Sequence, residues 1–197
     1  MLRLRLVRSL LLGIVTLLSG AEAASAFNQF EGFSKAPTFT PPPGCIGTHD
    51  AYGVIAQCMK SLGAGRDFVA AIDTAVGSFG SPKDFLDDQI TEIKQWWIDN
   101  YSSNAVTFYS KPTDFIPANA SPRTLCMEYG VTAKTPDEVQ VIKGIACTWP
   151  VENPAPGKWT VEICWLEAYD TYKPSLGQKP MPSFDAIVRQ LFSSMRL

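Results

Sequence analysis

The chain has 197 residues, 46% hydrophobic, 18% charged and 11% aromatic, with 17 Lys+Arg against 19 Asp+Glu. This composition excludes a disordered tail, a collagen-like repeat and a long coiled coil. The formal net charge of −2 becomes −4 once residues 1–26, with their three Arg and one Glu, are set aside, which argues against nucleic acid as a partner.

Residues 1–26 read as a signal peptide. Arg3, Arg5 and Arg8 form a positive start, Leu10 to Leu18 an apolar run, and Ala21-Glu22-Ala23 and Ala24-Ser25-Ala26 two small-residue cleavage sites. The run is about half the roughly 20 residues a membrane span needs, and no later stretch supplies a transmembrane span. The expected location is exported, periplasmic or extracellular. Residues 27–44 end in Pro41-Pro42-Pro43-Gly44 and read as a Pro-rich extended arm.

A single domain is expected over 45–197, helical over 45–103, a β-meander over 104–170 and a C-terminal helix over 183–196. Tyr52, Ile55, Met59 and Leu62 recur at helical spacing, with Thr48 able to cap, which predicts a helix over 48–62. Phe68, Val69, Ile72, Ala75 and Val76 predict a second helix over 66–78. A third is the clearest: Ser81 caps, Pro82 takes the first turn, and Leu86, Ile90, Ile93, Trp97 and Tyr101 line one face. That spacing puts Trp97 in the core and leaves Trp96 half buried.

After residue 104 the period changes. Ala105 to Tyr109 is a short strand, and 110–122 is a long loop. Leu125, Met127, Tyr129 and Val131 share one face of a strand. Val139, Val141, Ile145, Cys147 and Trp149 share a face of the next. Trp159, Val161, Ile163 and Trp165 give the strongest alternation in the chain. Together these predict an antiparallel meander with one apolar face. Residues 171–181 form a linker, and Ser183 is expected to cap the final helix. The fold class is therefore α+β, with N-terminal amphipathic helices and a C-terminal helix packed on the meander.

Five cysteines in an exported chain imply disulfides and an odd thiol. Cys45 and Cys58 are one candidate pair. In the meander, Cys126 falls on the polar side of its run and Cys147 on the apolar side of its own. A bond between them needs a bulge near Gly144. If the strand order is sequential, Cys126 and Cys164 stand a whole strand apart, roughly 9–10 Å, too far for a bond. Cys164 is the favoured free thiol, as a small buried hydrophobe.

Catalytic and cofactor signals are weak, and no cofactor is expected. No CxxC, nucleophile elbow or nucleotide-binding glycine motif occurs. His49, the single histidine, reads as a helix-start residue. Asp87 and Asp88 are adjacent on a helix and point apart. Glu162 and Glu167 lie on opposite faces of one strand. What remains is recognition: Trp96, Trp149, Trp159, Trp165 and Tyr169 are the candidate binding surface. The expected function is that of an exported, disulfide-stabilised, non-enzymatic envelope or secreted interaction protein with a protein partner. The alternatives are a periplasmic small-ligand carrier with a Trp/Tyr-lined pocket and a cysteine-dependent enzyme.

The segment Cys126-Met127-Glu128-Tyr129, then Gly144-Ile145-Ala146-Cys147, then Gly157-Lys158-Trp159 resembles the C-terminal module of the small bacterial surface-antigen family (the 17 kDa surface antigen group). That family has Arg where this chain has Met127 and Thr148. Its glycine-zipper segment and lipid-anchor cysteine have no counterpart here. The resemblance covers residues 126–159. It implies an envelope β-module without catalytic activity, carrying a Cys126–Cys147 bond.

Overall fold

A computed structural model describes residues 37–41, 46–50, 53–58, 68–101, 105–151 and 159–197; for 46–50, 53–58, 68–79 and 159 it describes the backbone alone. The signal-peptide segment, most of the Pro-rich arm, and Cys45 lie outside the described residues. The strands are β1 (Ile46–Asp50), β2 (Gly53–Cys58), β3 (Phe68–Phe79), β4 (Val106–Pro112), β5 (Leu125–Lys134), β6 (Val139–Pro150) and β7 (Trp159–Tyr172). They form one antiparallel seven-stranded sheet in the order β1-β2-β3-β7-β6-β5-β4. Among the described residues two helices, α1 (Pro82–Tyr101) and α2 (Phe184–Ser194), pack on its β5–β7 part, one on each face. The class is α+β, with helices packed on an antiparallel meander.

Each predicted strand of the meander is present, and so is the third predicted helix. Its start follows from local chemistry. The Asp84 N–H donates to Ser81 Oγ at 3.1 Å, which satisfies an amide that the first turn leaves without a partner. Pro82 has no N–H to satisfy there. The last helix also forms, but Ser183 opens it without a side-chain capping bond.

Two segments read as helices, 48–62 and 66–78, are instead β1, β2 and β3 where they are described. The reason lies in β3, which pairs along its whole length with β7, from Phe68↔Asp170 to Phe79↔Trp159. It also pairs with β2, so both of its edges are hydrogen-bonded inside the sheet. Its apolar residues can fall at helical spacing by coincidence, and pairing then overrides the local pattern.

The meander has two apolar faces, not one. Odd-numbered residues of β5 and β7 and even-numbered residues of β6 face α1; Tyr129, Val131, Ile142, Ala146, Ile163 and Trp165 pack there against Phe85, Leu86, Ile90, Ile93 and Trp97. The alternate residues, Cys126, Ile145, Cys147, Trp149, Cys164 and Leu166 among them, face α2 and pack against Phe184, Ile187, Val188 and Leu191. The sheet is thus the middle layer of three.

The described part of the arm and the C-terminal residues close the α2 face. Arg196 pairs antiparallel with Thr38 and parallel with Ala118. Thr38 and Arg196 exchange N–H···O bonds of 2.9 Å each, and the Leu197 N–H donates to Ala118 O at 3.0 Å. Phe39 and Leu197 are buried in the same core as α2. The described part of the arm is therefore extended and docked.

Candidate functional site

The chemistry-bearing residues of the described chain gather on β5, β6 and β7 in rows that cross the sheet. On the α2 face the register sets Cys126 opposite Cys147 and Cys147 opposite Cys164. Cys126 and Cys147 form a disulfide with a Cα separation of 4.2 Å, and Cys164 is a buried thiol. The strands pair residue by residue through Gly144, with no bulge. The parity conflict expected for this pair disappears because the apolar side of β5 faces α1 and the apolar side of β6 faces α2. Burial pushes the Cys164 thiol well above its ordinary range, and the Glu162 carboxylate beside it adds to the shift. A reactive thiol needs the opposite shift.

On the α1 face the matching row is Tyr129, Gly144 and Glu167. Gly144 has no side chain, so the Tyr129 ring lies across it. A Cβ at that position would fall inside the ring. The tyrosine hydroxyl thereby spans two strand spacings and donates to Glu167 Oε1 at 2.6 Å. Tyr169 donates its hydroxyl to the other oxygen, Glu167 Oε2. Glu162, on the α2 face, accepts from the Trp149 indole N–H at 2.6 Å. Asp170 Oδ2 accepts from the Met181 N–H at 2.9 Å and so holds the linker before α2.

These acids are 1–4% exposed, yet each accepts a donor from another strand or a loop. Glu162 and Glu167 stand on opposite faces, so they do not act on one bond. Among the described residues no cluster of His, Cys, Asp and Glu could hold a metal ion. His49 lies in β1, where the backbone alone is described. Asp87 pairs with Lys83 on the exposed side of α1, and Asp88 is exposed.

The candidate binding aromatics do not come together. Trp149 and Trp165 are each 2% exposed, on opposite faces of the sheet, so they line no common pocket. Trp96 and Tyr169 are half buried at the margin of the α1-side core. Trp96 meets Trp97 edge-on at 5.0 Å, and Trp97 stacks on Tyr101 at 5.2 Å. The Trp97 indole N–H is buried with no partner among the described residues. Trp159 opens β7, and its side chain is outside the description. The Cys45–Cys58 candidate cannot be placed, because Cys45 lies outside the described residues.

Four large apolar side chains are exposed among the described residues, and of these Ile116 and Leu176 were not singled out in the sequence. The four are Tyr109 on the edge strand β4, Ile116 in the following loop, Leu125 at the start of β5, and Leu176 in a 3-10 turn over Pro174–Leu176. Leu125 was expected on the apolar face of its strand but is exposed at the strand's start; no periodic signal marks Ile116 or Leu176, and Tyr109 is marked only once the sheet order makes β4 an edge.

No protein-family model and no curated protein matches the chain. A solved structure does: the crystal structure of LpqN, described as involved in cell envelope biogenesis of Mycobacterium tuberculosis, superposes with a TM-score of 0.53 at 10% identity, over 84% of this chain and 86% of that one. The likeness is one of fold. Among the described residues no helix is long and apolar enough to cross a membrane.

Proposed function

We propose that this chain is an exported, non-enzymatic interaction protein of the cell envelope or its exterior, held by a disulfide and acting by binding a protein partner. One observation carries the reading. The three cysteines of β5 to β7 and the buried acids all lie in the two cores, each with a structural part to play. What faces solvent is recognition chemistry: an edge strand carrying Tyr109 and Lys111, and apolar side chains at Ile116 and Leu176. The export signal read in residues 1–26, the resemblance of residues 126–159 to the surface-antigen module, and the envelope role stated for LpqN support the address.

The alternatives find less support. A carrier with a Trp/Tyr-lined pocket needs its tryptophans on one surface, and Trp149 and Trp165 are split between faces. A cysteine enzyme needs an accessible thiolate, and Cys164 is buried with its thiol pushed up.

The test is a photo-crosslinking amino acid placed at Tyr109, Ile116 or Leu176 in the native host, with exposed Asp88 on α1 as the control. Protein adducts in the envelope fraction at Tyr109 and Ile116, and none at Asp88, are expected. A processed protein that gives no adduct at any of the three, or a chain retained in the cytoplasm, overturns the reading.

A further inference from the structure

The cysteine row has a property that neither a lone thiol nor a lone disulfide has. We propose that Cys126, Cys147 and Cys164 form a disulfide-exchange site, in which one bond can occupy either of two neighbouring rungs and Cys147 is the sulfur common to both. The inference is independent of the partner-binding reading.

The register supports both rungs. Cys147 sits directly opposite Cys126 on one side and Cys164 on the other, all on the α2 face. In an antiparallel ladder, narrow and wide rungs alternate. The occupied rung is of the narrow, non-hydrogen-bonded kind, as its 4.2 Å Cα separation shows; Cys126 O instead accepts from the Thr113 N–H on its far side. The vacant rung is of the hydrogen-bonded kind. The Val151 N–H donates to Thr160 O at 2.9 Å, and Cys147 and Cys164 stand four residues back along the same pair, in the same phase. Rungs of that kind have Cα atoms about 5.5 Å apart, inside the span a disulfide bridges. Cys126 and Cys164 are about two strand spacings apart, roughly 9–10 Å, and cannot bond directly.

The step needs no outside oxidant. The Cys164 thiolate attacks Cys147 Sγ, the Cys147–Cys164 bond forms as Cys126–Cys147 breaks, and Cys126 leaves as a thiolate. The proton given up by Cys164 ends on Cys126, and the count of disulfides and thiols is unchanged. The reactant thiol is fully buried, whereas Cys126 lies at the margin of the core, 7% exposed. Exchange thus carries the thiol from the interior to the rim. The gate is the α2 layer, whose Leu191 and Met195 are fully buried in the core over the row and whose end is clasped between Thr38 and Ala118. While α2 is docked, the sulfurs are sealed and exchange is slow; when it lifts, the bond can change rungs.

Trypsin sites at Lys134, Lys143 and Lys158 put the three cysteines in separate peptides, so bond positions can be mapped directly after alkylation in denaturant. In the full exported chain, Cys126→Ser is expected to carry a Cys147–Cys164 bond with neither sulfur alkylated. Cys147→Ser is expected to leave both Cys126 and Cys164 as thiols. Recovery of Cys147 and Cys164 as alkylated thiols from folded Cys126→Ser overturns the proposal. A second measurement covers a variant that fails to fold. Wild type is held at pH 8.5 in sub-denaturing urea, quenched in acid, unfolded and labelled with a maleimide. Label is expected to move from Cys164 to Cys126 over hours. Label confined to Cys164 at every time overturns the proposal.

Discussion

The two faces of the sheet are closed by different means. The α1 face is covered by a 20-residue helix whose apolar side runs from Phe85 to Trp97, and its polar strut, Tyr129 to Glu167, is a hydrogen bond. The α2 face has an 11-residue helix. A helix that short is marginal without tertiary support. It gains support from the linker held by Asp170, from the pairing of Arg196 with Thr38 and Ala118, and from a disulfide in the strands beneath it. The disulfide and the pairing at Arg196 are concentrated where the covering helix is shorter.

That contrast can be broken experimentally. The largest effect is expected from emptying either core. Ile93→Ala and Leu191→Ala, both fully or nearly fully buried, should each cost about 2–5 kcal/mol in urea denaturation. Because the sheet separates them, the double variant should be additive within about 0.5 kcal/mol; a larger coupling would mean that the faces are not independent.

Next comes the covalent constraint. Cys147→Ser closes off both rungs and should cost about 3 kcal/mol, the value expected for a loop of this size, measured by urea titration. On the other face, Tyr129→Phe removes one of the donors to a buried carboxylate and should cost about 1–3 kcal/mol by the same measurement.

A smaller, pH-dependent effect distinguishes the faces further. The Cys164 thiol titrates higher in the folded chain than its ordinary value of 9.0. The native state therefore keeps a proton that the unfolded chain has lost. The contribution is complete below about pH 9 and is lost as pH rises from there through the higher folded value. The urea midpoint of wild type should fall more steeply above pH 9 than that of Cys164→Ala; equal slopes would mean that the thiol is not held neutral. The smallest effect is expected at the rim. Lys143 and Asp185 join β6 to α2 across solvent, and Asp185→Asn should shift stability by less than about 1 kcal/mol in the same titration.

How legible these faces are in the sequence also differs. α1 announces itself through Ser81, Pro82 and an unbroken apolar stripe, and the structure keeps each feature. The odd-numbered alternation of β7 marks the α1 face correctly. The α2 face was harder to read because its strand residues are Glu162, Cys164 and Asp170 as well as Leu166 and Ala168. Polar residues normally mark solvent, and only the partner on the next strand, such as Trp149 for Glu162, shows why these are buried. β1 to β3 were hidden for another reason: their apolar residues fall at helical spacing, and only their pairing, which links residues distant in the chain, marks them as strands. Of the candidate site, the disulfide cysteines and the buried thiol were visible as residues, but their alignment in one row depends on register, which short-range spacing does not encode.

The most direct measurement is a short alkylation pulse on the native, fully oxidised protein at neutral pH, followed by peptide mapping. Sealed cores require a Cys126–Cys147 bond and a Cys164 that stays unlabelled over minutes until denaturant is added. A Cys164 that labels as fast as an exposed thiol would contradict that sealing, and with it the assignment of this chemistry to structure rather than catalysis.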